Sequence, residues 1–268
     1  MPYLTSDETS IYYETSGEGV PTIMLSGMSL DADTWHPVIG RIKHEIQAVG
    51  MDVRGSGRSE APRSPYSIPQ MSKDVIHLTD LLKLDKVLIV GHSLGGFIAL
   101  QTARDLPNLV AGLVLVSTSA TGKAHLLGTS GRAQNALGRT LGPFEDIVKN
   151  AAEAGFGSKA KTRGTQILEN FVEMRLARPP RGRGYMGQRK ASLEFDIRSE
   201  LHQITCPVIV LHGHEDEIIS LANGKNLASS LPFASFRTLD GVGHFPQLEA
   251  PDLVAEEILG LKRRTFTP

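Results

Sequence analysis

Along the chain, short runs of nearly unbroken β-branched and aliphatic residues alternate with longer stretches in which apolar side chains recur every three or four positions. The runs at 22–25, 46–49, 87–90, 113–116 and 208–211 predict strands, with 235–239 a weaker candidate. Helical spacing runs through 71–84, 94–106, 221–231 and 252–261. Strands that are apolar on both faces need helices on both sides of the sheet. Their alternation with helices predicts an α/β fold: a mainly parallel sheet joined by right-handed crossovers. Two polar–apolar runs at 4–5 and 11–14 predict a hairpin at the sheet edge.

The alternation stops between about residues 118 and 201, where no convincing strand is found. This divides the chain into a first core part (1–117), an inserted helical segment (118–201) and a second core part (202–268). Pro143 ahead of 144–154 and Gly155 behind it predict a helix with a proline start and a glycine stop. A second helix is expected over 165–178, ended by Pro179 and Pro180, with Ile167, Leu168, Phe171, Met174 and Leu176 as its buried stripe. The insertion is read as a lid rather than an extra packing layer, because it follows a strand end, where ligands bind in such sheets.

Composition narrows the partners. The length of 268 residues suits one large α/β domain or a domain carrying an insertion, and 40% hydrophobic with 21% charged residues is ordinary for a folded soluble protein. A net charge of -1 gives no reason to expect nucleic acid or a membrane surface as partner. Cys206 is the only cysteine, so an intramolecular disulfide is impossible and structural zinc is disfavoured; Cys206 reads as buried filler. Residues 1–19 lack the apolar stretch of a signal peptide, and no segment reaches membrane-spanning length, so a reducing cytoplasm is the expected compartment. No organic cofactor is indicated.

The strongest local signal is Gly91-His92-Ser93-Leu94-Gly95-Gly96, set between a predicted strand and a predicted helix. A nucleophilic serine must protrude from a sharp strand-to-helix turn, and the crowding there requires small residues two positions before and after it. Gly-x-Ser-x-Gly alone is weak in a chain with 27 glycines; its strand–helix context makes it informative. Ser93 also needs a base. His92 would point away from it and reads as packing, and His212 and His214 lack a carboxylate set with metal-ligand spacing. His244 remains, on the glycine-rich loop 241–245 after the last candidate strand. For the acid, Glu215, Asp216 and Glu217 compete after the 208–211 strand.

These residues resemble the α/β-hydrolase superfamily, in particular its serine esterase and lactonase members. The order Ser93, Asp216, His244 matches the family's order of nucleophile, acid and histidine, and Gly213-His214-Glu215-Asp216 fits its acid pattern. Gly243-His244-Phe245 and the loop Asp52-Val53-Arg54-Gly55-Ser56-Gly57-Arg58-Ser59 fit two more of its motifs. The resemblance implies Ser93, Asp216 and His244 as catalytic residues, with backbone N–H groups of Met28 and Leu94 as the oxyanion hole. One departure is Ser26-Gly27-Met28, where the family usually has His-Gly. It further implies hydrolysis of a small-molecule ester or lactone through an acyl-enzyme, with carbon–carbon bond hydrolysis, cofactor-free perhydrolysis, or a ligand receptor retaining the triad as alternatives. Met28, Trp35 and Phe245 are expected to line the substrate pocket. The basic stretch 159–190 has two readings: a solvated loop, favoured by Gly182 and Gly184 beside Pro179 and Pro180, or an arginine that meets a substrate carboxylate.

Overall fold

The protein is described here by a computed structural model covering residues 3–63, 66–123, 143–163 and 166–266. All the apolar runs become strands: β1 (Tyr3–Ser6), β2 (Thr9–Ser16), β3 (Val20–Leu25), β4 (Ile46–Met51), β5 (Val87–His92), β6 (Val110–Val116), β7 (Val208–Gly213) and β8 (Ala234–Leu239). They form one eight-stranded sheet in the order β1-β2-β4-β3-β5-β6-β7-β8. The β1–β2 hairpin sits at one edge and pairs antiparallel onto β4, while β4 through β8 are parallel.

Alternate side chains of β3 through β7 feed two separate cores, which explains why these strands carry almost no polar positions. Val87 and Ile89 pack with helices α2 (Ile68–Leu81) and α3 (Leu94–Asp105) through Met71, Val75, Leu78 and Phe97. Leu88 and Val90 pack on the opposite face, with α1 (His36–Ile42) through Val38 and Ile42. Each such fully buried side chain contributes about 1.5–3 kcal/mol. Helix α2 begins three residues earlier than its apolar spacing predicts, because the Ser67 hydroxyl caps it by accepting the Gln70 N–H at 3.2 Å and Pro69 follows in the first turn.

Between β6 and β7 the chain forms α4 (Phe144–Gly155), α5 (Ser158–Arg163), α6 (Gln166–Ala177) and α7 (Gly182–Glu194). An isolated bridge, Thr121–Asp196, joins the two stems of this insertion. Residues 124–142, inside the insertion, and Thr165, the expected start of the second helix, lie outside the described residues. Helix α4 matches its expected bounds, starting after Pro143. The buried stripe of α6 is narrower than its spacing predicts. Phe171 is buried, Leu168 and Met174 pack partly, but Ile167 and Leu176 are exposed. The solvated-loop reading of residues 182–190 is corrected: they lie in α7, which packs Gly184 directly against Gly55 and buries Gln188 completely.

The chain closes with α8 (Leu221–Ser230), the short α9 (Pro246–Glu249) and α10 (Pro251–Thr265), which covers the α1 face through Val254, Ile258 and Leu261. Among the described residues, no helix is long and apolar enough to cross a membrane. Cys206 is partly buried against the α2–α3 core, and burial pushes its thiol up to about 11.

Candidate active site

Ser93 is the residue between β5 and α3, and the tight passage from strand to helix gives it a left-handed φ of 53°. A non-glycine residue in that region is strained. Ser93 is held there from both sides: its N–H donates to Val116 C=O at 3.0 Å, and its C=O accepts from the Thr118 hydroxyl at 2.8 Å. A Cβ on Gly91 would run into the backbone of Gly95, and one on Gly95 into that of Leu25. Both glycines of the motif are therefore demanded by sterics. The first N–H groups of α3, Leu94 among them, have no acceptor one turn earlier in the helix, and this end carries the positive pole of the helix dipole.

Of the three acidic candidates, Asp216 is the one that reaches the histidine. Its Oδ2 lies 2.8 Å from His244 Nδ1, and its Oδ1 accepts the N–H groups of Ile218 and Ile219 at 2.9 and 2.8 Å. Glu215 turns away to Ser158, accepting from its N–H and hydroxyl at 2.7 Å. Burial works to raise the Asp216 carboxyl, but His244 and His212 beside it prevail and hold it well below the ordinary carboxylate range. An ionised Asp216 accepts the Nδ1 proton of His244 and leaves Nε2 as the nitrogen free to take a proton.

Two further histidines, His92 and His212, brace this pair. Burial and then the His244 ring hold His92 well below the ordinary imidazole range, so it is a neutral ring whose Nε2–H donates to His244 C=O at 2.8 Å. His212 donates from Nε2 to Ile219 C=O at 2.8 Å, 3.3 Å from Asp216 Oδ2. It thus fixes the same turn whose N–H groups hold the acid. His214 is exposed, 3.5 Å from Asp240, and has no place in the site.

The loop after β3 stands beside Ser93: a Cβ on Gly27 would lie 2.9 Å from His92 Nδ1 and 3.3 Å from Ser93 Cβ. Leu30 N–H closes a turn onto Gly27 C=O at 3.0 Å. Ser26, where the family pattern has histidine, donates its hydroxyl to Asp31 C=O at 2.8 Å and lies 2.9 Å from the Thr34 hydroxyl, so it ties the loop to itself. The Asp52–Ser59 segment supports the loop from below, with Asp52 Oδ1 accepting Ala32 N–H at 2.8 Å and Arg54 paired to Asp74 at 2.5–2.7 Å.

Gln188 was not singled out in the sequence. Its buried amide accepts Ser29 N–H at 2.7 Å and donates to Arg54 C=O and the Ser56 hydroxyl at 2.8 and 2.7 Å, which joins α7 to both loops. Glu249 was missed as well. It accepts the N–H groups of Gly243, Gly157 and Phe245 at 3.0, 2.7 and 3.3 Å. Neither belongs to a motif with a chemical role, so a single sequence carries no signal for them.

Ser93, His244, Met28, Leu94 and Phe245 all line one cavity of about 300 Å³, closed on its far side by α4, α6 and α7. Trp35 does not line it. A 3-10 turn, Ala32–Trp35, carries that indole to the α1–α10 face of the sheet, where it is fully buried among Met24, Val38 and Val254. The pocket role expected for Trp35 is therefore corrected to a core role.

The chain is similar to known proteins over nearly its whole length. Over 264 residues the chain is 26% identical to 3-oxoadipate enol-lactonase 2 of Acinetobacter baylyi, covering 97% of this chain and 96% of the relative. A non-heme chloroperoxidase of Streptomyces lividans is 29% identical over 276 residues, with 94% and 97% covered. Among solved structures, Est816, described as an N-acyl homoserine lactone degrading enzyme, superposes with a TM-score of 0.85 at 29% identity and covers 97% of this chain and 99% of its own. The family model for the alpha/beta hydrolase fold matches residues 21–251, and the chain is an enzyme of the α/β-hydrolase family.

Proposed function

We propose that this enzyme is a serine hydrolase that cleaves a small-molecule carboxylic ester or lactone through an acyl-enzyme. The observation that carries the reading is the buried Asp216–His244 pair at 2.8 Å, whose His244 lines one largely apolar cavity together with the strained Ser93. His244 Nε2 takes the Ser93 proton as Oγ attacks the substrate carbonyl, and Asp216 fixes the tautomer and steadies the imidazolium. Met28 and Leu94 N–H groups receive the oxyanion, where each donor lowers the barrier by about 3–4 kcal/mol. His244 returns the proton to the leaving alcohol, then activates a water that releases the acid. The inserted helices α4–α7 act as the lid that shapes the acyl pocket and excludes bulk water.

The Est816 relative's lactone and the enol-lactonase's substrate both support the ester or lactone class. A second reading, perhydrolysis, draws on the Streptomyces chloroperoxidase, since hydrogen peroxide in place of water at the acyl-enzyme gives a peracid. Labelling with a fluorophosphonate probe and turnover of a p-nitrophenyl ester series test the proposal. Wild type is expected to label at Ser93, and Ser93→Ala to fold, resist labelling and lose roughly 10³-fold or more in kcat. Full activity in Ser93→Ala would overturn it. Peracid formation outpacing hydrolysis at matched substrate would favour the second reading.

A further inference from the structure

The cavity beside Ser93 has a one-sided charge. Two arginines line it, Arg175 from α6 and Arg189 from α7, and no aspartate or glutamate does among the described residues. Elsewhere the protein pairs such groups: Arg54 with Asp74, Arg58 with Asp52, and Arg178, one turn beyond Arg175, with Asp31 and Asp33. Arg175 has no carboxylate in ion-pair distance among the described residues. Among the described residues its guanidinium donates only to the Ser29 C=O and, at 3.0 Å, to the Ser29 hydroxyl. Burial lowers it to about 10, with Asp31 the opposing charge at longer range. A guanidinium carries five N–H donors in a fixed fork, so part of that fork has no partner among the described residues, on a side chain that lines the cavity. Leaving a desolvated cation without a counter-charge is costly, and an incoming anion relieves that cost.

Resting on the serine-hydrolase reading, we propose that Arg175 anchors an anion subsite, and that the substrate is an ester or lactone bearing a carboxylate besides its scissile carbonyl. Arg175 receives that carboxylate while Ser29 holds the guanidinium in place, and Arg189 adds positive potential from the facing helix. The apolar wall of Phe171, Ile147 and Val148 accommodates the chain between carboxylate and carbonyl.

Two p-nitrophenyl esters of nearly equal shape test this: the butyrate, and the monoester of succinate, whose acyl chain ends in a carboxylate. Wild type should favour the succinate monoester in kcat/KM by about 10-fold or more, since a hydrogen bond to a charged group is worth roughly 10- to 100-fold. Arg175→Gln should lower the succinate-to-butyrate ratio by about 10- to 100-fold, and Arg175→Lys by less. The ratio is the readout because Arg175 also touches the loop that carries Met28, so a general loss of turnover cancels within each variant, as does any loss of folded enzyme.

A second measurement does not depend on chemistry. In Ser93→Ala, calorimetry should detect succinate binding that is absent for butyramide and lost in Ser93→Ala/Arg175→Gln. Equal preference for the two esters in wild type, or a ratio unchanged in Arg175→Gln, overturns the subsite. If neither ester turns over, the serine-hydrolase reading fails, and the succinate titration still decides the subsite: no binding, or binding unaffected by Arg175→Gln, overturns it.

Discussion

Ser93 is strained because the chain must leave β5 and enter α3 within one residue, and a backbone in that region costs about 1–3 kcal/mol. The cost is met by fixing both of its peptide groups to β6 and to Thr118. The same crowding reaches across to Gly27, whose missing side chain leaves room for His92 and Ser93. Gly27→Ala is therefore expected to push the loop carrying Met28 off the serine and lower kcat by about 10²-fold, comparable to loss of an oxyanion donor. KM should change much less, and kcat within threefold of wild type would show that the loop has no such role. Residue chemistry was the most legible level of this protein. Gly91, Gly95, Ser93 and His244 announce themselves because the turn and the proton transfer tolerate few alternatives. Asp216 needed the family pattern to separate it from Glu215 and Glu217. Trp35 misled because an aromatic near a motif says nothing about which face of the sheet it reaches.

Among elements, the strands follow from their apolar runs, while α7 was hidden. Its three glycines and basic side chains imitate a loop, yet Gly184 is small because Gly55 lies against it, a contact between residues far apart in sequence. Gln188, one turn later and fully buried, satisfies all three of its neighbours at 2.7–2.8 Å. Gln188→Ala should strand the Ser29 N–H, the Arg54 C=O and the Ser56 hydroxyl. Unmet buried groups cost about 1–3 kcal/mol each, so a clear fall in Tm is expected, and turnover of every ester should fall together. A variant that changed only substrate preference, with Tm unaltered, would contradict this account of α7.

For the molecule as a whole, the insertion grips both sides of the site. Gln188 and Arg175 hold the loop after β3, and the turn between α4 and α5 runs along the histidine loop. There Gly155 C=O accepts His244 N–H at 2.5 Å, and Lys159 N–H donates to Gly241 C=O at 3.1 Å. Glu249 clasps the two together from beneath, bound to Gly157 on one side and to Gly243 and Phe245 on the other. Burial raises its carboxyl to about 7, against the pull of those three N–H groups and with Asp216 adding to the rise. An acid raised in the folded state binds its proton more tightly there than in the unfolded chain. Its contribution to stability is thus fully present below the ordinary glutamate range and is lost as pH rises through about 7. Glu249→Gln, which does not titrate, should therefore gain on wild type in Tm as buffers are raised from about pH 5 to about pH 8. Parallel Tm curves for the two proteins would refute that linkage.

The grip of the inserted helices on the loops beside Ser93 and His244 also limits how this enzyme can diversify. Where an insertion merely hangs over a pocket, recombination between relatives can trade it freely, and each exchange alters what is bound without touching the chemistry. Here a foreign segment would arrive without Gln188 beneath Ser29 or Gly155 beneath His244, and the hybrid would lose catalysis before it acquired a new preference. New specificities in this lineage are accordingly more accessible through point changes along the inner faces of α4, α6 and α7 than by exchange of whole modules.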